Sequence, residues 1–138
     1  MTKSYTVEEL AQPLAHYPHA RRVGDLIFVS GVSCRRADNT HKGVTIHEDG
    51  TVEKNIGEQA EAVLDNIDRI LNEAGSGLGD VVDITVFLVD MDDYGGFNEV
   101  YNRYFDAETG PTRTTVAVHQ LPHPNLLVEL KVVAYAPQ

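Results

Sequence analysis

The stretch from Gly110 to Tyr135, GPTRTTVAVHQLPHPNLLVELKVVAY, decides the fold. It reads as two β-strands, over 112–118 and 126–134, joined by a loop that carries His119, Pro122, His123 and Pro124. Both runs are rich in Val, Leu and Thr, and side chains alternate faces along a strand. Paired as a hairpin with Thr115 opposite Glu129, the strands put Arg113, Thr115, Glu129 and Lys131 on one sheet face. Val128, Leu130 and Val132 then form the apolar face. Such a polar face has two readings. It is a solvated surface held by cross-strand charge pairs, or it is an anion site. In the second case Arg113 grips a carboxylate with its planar fork and Glu129 handles protons or water.

The rest of the chain bounds these readings. At 138 residues it is a single domain with one sizeable core. With 42% apolar and 23% charged residues it has the composition of a soluble globular protein. A net charge of −10 argues against nucleic acid or acidic membranes as partners, because phosphate binding needs a basic surface. The single cysteine, Cys34, has no intrachain partner, which suits a reducing cytoplasm. The opening MTKSYTVEELAQPL has no long apolar run, so no signal peptide or membrane span is expected and the predicted location is cytoplasmic.

In chain order, residues 1–18 read as a short helical turn with Thr6 as cap and Val7, Leu10 and Leu14 apolar. HARRVGDLIFVSG reads as a hairpin turning at Gly24-Asp25, with Leu26–Ser30 as its second strand. Arg21, Arg22, Arg35 and Arg36 cluster within sixteen positions of an otherwise acidic chain. They either pair with carboxylates or draw an anionic substrate toward a cleft. Cys34 reads as a structural thiol, since no base can be assigned to it. Residues 37–53 read as a long loop with one short strand and solvated His41 and His47.

Asn55, followed by Glu58, predicts a helix start, and apolar residues from Ile56 to Ala74 recur at helical spacing up to Gly75. A strand follows over Val81–Val89, with Val82, Ile84, Val86 and Leu88 on one face. Asp92 or Asp93 then caps a second helix that buries Phe97, Val100, Tyr101, Tyr104 and Phe105. The order β-β-α-β-α-β-β gives an α+β domain in which two helices cover one face of a sheet. The other face must meet water or other subunits.

Three blocks carry a resemblance across nearly the whole chain. They are Gly110–Thr115 with Val128–Lys131, Val23–Gly31 (VGDLIFVSG), and Val82–Met91 followed by Phe97-Asn98-Glu99-Val100-Tyr101. Taken in chain order they resemble the Rid/YjgF family of imine and enamine deaminases. The resemblance implies a chorismate-mutase-like fold, a mixed sheet whose copies close into a trimeric barrel, and active sites between neighbouring subunits. It places the carboxylate-binding arginine on Arg113 and the water-positioning glutamate on Glu129. It places substrate contacts on Tyr17, Ser30, Gly31, Asn98 and Thr115. Two positions depart from the family pattern. Thr115 stands where a cysteine is frequent, and Val32 follows Ser30-Gly31 where a glutamine is common.

Within that family, Gly31–His41 and Val118–Pro124 look most like 2-aminomuconate deaminases of aromatic-compound breakdown. That resemblance implies a dicarboxylate substrate, with a second anion contact from Arg21, Arg22, Arg35 or Arg36 (Arg35 foremost), and a proton donor at His119 or His16. No metal and no organic cofactor is implied. The rival readings are a broad-range deaminase of 2-aminoacrylate-type intermediates, a metal hydrolase using His119 and His123, and a non-enzymatic ligand-binding or chaperone-like protein.

Overall fold

The computed structural model describes residues 2–138. Strands β1 (Thr2–Tyr5), β2 (Ala20–Val23) and β3 (Leu26–Val29) come first, followed by a small hairpin of β4 (Val44–Ile46) and β5 (Val52–Lys54). Helix α1 (Ile56–Glu73), strand β6 (Val81–Leu88), helix α2 (Tyr94–Tyr104) and strands β7 (Thr112–Ala117) and β8 (Val128–Tyr135) complete the chain. The main sheet has the order β1-β2-β3-β8-β6-β7. All its pairs are antiparallel except β6 and β7, which run parallel. A parallel pair needs a crossover connection, and α2 supplies it. The result is the expected single α+β domain, a mixed sheet with two helices on one face. No helix of the described residues is long and apolar enough to cross a membrane.

Local signals place the elements they govern. The Asn55 side chain accepts from the Glu58 N–H at 2.9 Å, capping α1, and the helix ends with the Gly75 N–H on the Asn72 carbonyl. Gly24 turns β2 into β3 at a φ of +59°, a conformation open to glycine. Along β8 the burial alternates, with Val128, Leu130, Val132 and Ala134 under the helices and Glu129, Lys131, Val133 and Tyr135 on the opposite face. Ala60, Val63, Leu64, Ile67 and Leu71 of α1 and Phe97 and Val100 of α2 fill the space between helices and sheet.

The structure corrects several expectations. Residues 2–5 form a strand paired with β2, not part of a helical turn, and the 37–53 segment holds two short strands rather than one. A bulge between Val81 and Asp83 turns Val82 outward, so Val81, not Val82, joins Ile84, Val86 and Leu88 in the core. His41 is buried rather than solvated, its ring 4.3 Å from that of His123. Most important, β7 and β8 are not a hairpin. Strand β6 lies between them, paired to both.

The face without helices carries Val23, Leu26, Phe28, Val116 and Tyr135, each more than a third exposed. Val23, Leu26 and Tyr135 lie side by side across β2, β3 and β8, and exposed apolar side chains grouped on a sheet face suit a covering partner.

Candidate active site

The position of β6 reverses the arrangement expected for the polar residues. Arg113 pairs with Ile84 and Thr115 with Val86, both core residues, so these two side chains lie on the helix-covered side. Glu129 pairs with Phe87 and Lys131 with Thr85, on the uncovered side. Two strand spacings and three residues of rise separate Arg113 from Glu129 by roughly 14 Å between Cα atoms. The shared polar face of the hairpin reading therefore does not exist, and neither does its salt-bridged alternative. The Lys131 ammonium instead donates to the Val29 carbonyl at 3.0 Å.

Arg113 sits at the sheet edge above α2. Its Nε donates to Thr115 Oγ1 at 2.8 Å. The guanidinium carbon lies 4.7 Å from the Tyr101 ring centre, 5.3 Å from Phe97 and 5.5 Å from Tyr94. Ring faces attract a cation and also strip its water. One nitrogen, Nη2, is buried with no hydrogen-bond partner, and so is Oδ1 of Asn98 on α2. A buried donor or acceptor left unpaired is costly, so both atoms are open to a partner from outside the chain, water included. Tyr94 and Tyr101 were not singled out from the sequence as site residues. The spacing of Tyr94, Phe97 and Tyr101 (i, i+3, i+7) was the available signal, but in the sequence Phe97 and Tyr101 read as core and Tyr94 drew no reading at all.

A second group gathers on the other side of the molecule. Tyr17, Ser30, Gly31 and Arg35 line one cavity of about 60 Å³ beside α1. The Ser30 hydroxyl donates to the Pro18 carbonyl at 2.8 Å, fixing the Tyr17-Pro18 turn against β3. Val32 exchanges both backbone hydrogen bonds with Leu130, which draws Gly31 alongside Glu129. The approach is so close that a Cβ on Gly31 would run into the Glu129 carboxylate. Among the described residues that carboxylate has no hydrogen-bond donor and no cationic partner, and burial raises its pKa.

The remaining candidates divide. Arg35 is held by Asn39 Oδ1 and the Gln12 carbonyl, both at 2.6 Å, at the rim of the cavity. Arg22 is no substrate ligand, because its buried guanidinium donates to the carbonyls of Gly24, Ala74 and Ala136. His119 stands exposed on the loop after β7, at the same end of the sheet as Glu129, and its side chain makes no hydrogen bond among the described residues. His123 turns its ring to His41, and its Nδ1 accepts from the Asn125 N–H at 3.1 Å. Buried Gln59 ties this proline-rich loop to α1, donating to the Asn125 carbonyl and accepting from the Leu127 N–H. Cys34 is buried and its thiol is pushed up to about 11, as befits a structural residue.

The chain therefore offers two candidate half-sites. Arg113, Thr115 and Asn98 present a half-buried cation and amide, and Tyr17, Ser30, Gly31 and Arg35 line a cavity, with the unpaired Glu129 carboxylate against Gly31.

Residues 8–136 match the family described as Endoribonuclease L-PSP. A RutC family protein of Synechocystis sp. is 46% identical over 125 residues, which span 91% of this chain and 89% of the relative. TdcF of Escherichia coli, which carries the name of a reactive intermediate deaminase, is 30% identical over 132 residues, or 93% and 94% of the two chains. Its crystal structure with bound serine superposes with a TM-score of 0.79, covering 96% and 98% of the chains. The yeast protein YEO7 superposes with a TM-score of 0.84 at 33% identity over the whole of both chains.

Proposed function

The chain belongs to the Rid/YjgF family (also called RutC or L-PSP), and on that premise we propose that it hydrolyses small enamine and imine acids to keto acids and ammonia, with 2-aminomuconate as the favoured substrate. The observation that carries this reading is the Arg113 guanidinium. It is half-buried among three rings, held at Nε and unpartnered at Nη2, which suits it to a carboxylate. The serine bound to TdcF shows that a relative of this fold takes up a small amino acid.

The chemistry asks for three operations. The substrate carboxylate accepts hydrogen bonds from Arg113, which fixes the imine carbon in place. An enamine first takes a proton on carbon and becomes an iminium, with His119 as the donor. Glu129 then removes a proton from water as its oxygen adds to that carbon. The carbinolamine passes a proton to nitrogen, the C–N bond breaks, ammonia leaves and the carbonyl forms. A carboxylate whose pKa is raised by burial is a better base for this step than a solvated one.

Because Arg113 and Glu129 face opposite sides of one sheet, they serve one substrate only across a subunit boundary. A cavity of about 60 Å³ in a single chain is also small for a six-carbon dicarboxylate. The assembly that joins the half-sites is a homotrimer, or a multiple of one, whose apolar sheet faces pack together. A specific observation favours the dicarboxylate. Arg35 stands at the rim of the cavity that reaches Gly31, and a second carboxylate, which 2-aminoacrylate lacks, would take its guanidinium from Asn39 and the Gln12 carbonyl.

Ammonia release from 2-aminomuconate and from 2-aminoacrylate tests the proposal. Release from both above the spontaneous rate, with the higher kcat/KM for 2-aminomuconate, is expected. Release from 2-aminoacrylate alone removes the dicarboxylate preference, and release from neither removes the deaminase assignment. An endoribonuclease activity, which the family description names, is disfavoured by the net charge of −10.

A further inference from the structure

A pocket of about 220 Å³ lies between the 34–42 loop and α1, next to the cavity of Tyr17, Ser30 and Gly31, with which it shares Leu10, Arg35 and Asn66. Arg35, Arg36, Lys42 and Arg69 line it, four of the eleven basic residues of the chain, with Glu9 as the one carboxylate in the lining. In a protein with 21 carboxylates, cations are expected to find acidic partners. These do not. Among the described residues the ion pairs are His47–Glu53 and Arg103–Glu61, and no lining cation of this pocket takes part in one.

The frame around the pocket is ordered by hydrogen bonds. The Asn66 amide on α1 donates to the Ser33 carbonyl at 3.0 Å, and the Lys42 N–H donates to the Cys34 carbonyl at 3.1 Å. Arg35 and His41 form a bridge across the loop, and the Arg36 N–H donates to the Thr40 carbonyl at 2.7 Å. Cys34, at the pocket wall, stays a neutral thiol at physiological pH and contributes no compensating charge. Arg35 is engaged by Asn39 Oδ1 and the Gln12 carbonyl and Arg36 donates to Thr40 Oγ1, so Lys42 and Arg69 are the lining cations without a side-chain partner among the described residues.

We propose that this pocket binds a phosphate group, free or as a phosphate monoester. A phosphate concentrates two charges and several acceptor oxygens at one point, where arginine forks and a lysine ammonium converge on it together. A dicarboxylate divides the same charge between two ends. Because Arg35 borders both this pocket and the cavity of Tyr17, Ser30 and Gly31, an occupant acts on the loop that shapes the substrate site.

Calorimetric titration of the full-length protein at low ionic strength with inorganic phosphate, glycerol 3-phosphate and succinate tests this. Saturable binding of phosphate or glycerol 3-phosphate, at least about tenfold tighter than succinate, is expected. Tighter binding of the ester identifies a phosphorylated metabolite as occupant, and tighter binding of phosphate identifies the free ion. A double variant, Lys42→Gln with Arg69→Gln, changes two exposed side chains and weakens binding at least about tenfold. Arg113→Ala leaves it unchanged. Equal or tighter succinate binding, unaltered binding in the double variant, or loss of binding in Arg113→Ala overturns the proposal. None of these outcomes bears on whether the protein is a deaminase.

Discussion

Arg113 and Glu129 point to opposite faces of one sheet, with β6 between the strands that carry them. One chain therefore holds each half of the proposed chemistry and not the whole. Arg113→Ala and Glu129→Gln are each expected to be inactive alone. Mixed by co-expression into random trimers, they regenerate intact boundaries at about a quarter of the sites, because each site draws one residue from each neighbour. Ammonia release at that level from the mixture supports the shared site. A mixture as inactive as its components places both groups in one chain's site, and a monomeric mass in solution removes the shared site altogether.

Glu129→Gln keeps the shape of the side chain and loses the base, so kcat is expected to fall by roughly 10²–10⁴ with KM little changed. In the parent protein the acid limb of the kcat/KM profile lies above the ordinary carboxylate value of 4.5, because burial penalises the charged form. The same shift affects stability. The folded-state pKa exceeds the unfolded one, so the contribution of Glu129 is fully present below the unfolded value and is lost as pH rises through the folded value. The glutamine variant is therefore more resistant to urea than the parent at neutral pH, and the two converge in acid. Unchanged kcat in this variant removes the base assignment.

Gly31→Ala places a methyl group against the Glu129 carboxylate. The carboxylate is the far end of a side chain and swings aside at little cost, so the unfolding midpoint stays near that of the parent. Water placement does not survive the move, and kcat is expected to drop at least about tenfold, since catalysis is sensitive to displacements near 1 Å. A parental kcat would show that the position of Glu129 is not critical.

Arg22→Met removes three hydrogen bonds to backbone carbonyls, two of which join β2 to the end of α1 and to the C-terminal segment. Buried carbonyls left without donors make this costly, and a loss of about 3 kcal/mol in urea unfolding is expected. Activity per folded molecule stays at the parental level. A loss of activity without a loss of stability would return Arg22 to the substrate site.

What the sequence determined by itself was governed by short-range chemistry. The Asn55 cap, the helical spacing from Ile56 to Ala74 and the Gly24-Asp25 turn lie within a few residues of what they control, and each stands where expected. The family was legible too, since Gly110–Thr115 with Val128–Lys131 resembles it and residues 8–136 match it. The facing of those residues was decided only by tertiary structure. A ten-residue loop joins β7 to β8 whether or not they are neighbours, and nothing in either strand states that β6 enters between them. That choice follows from α2 carrying the chain back for a parallel pairing, a contact between segments distant in sequence. Because side chains alternate along a strand, the pairing then put Arg113 under the helices and Glu129 on the uncovered face. The aromatic residues of α2 became a cage for a cation by the same step, and Arg22, read as a possible ligand, became a buried clamp because β2 lies against the end of α1.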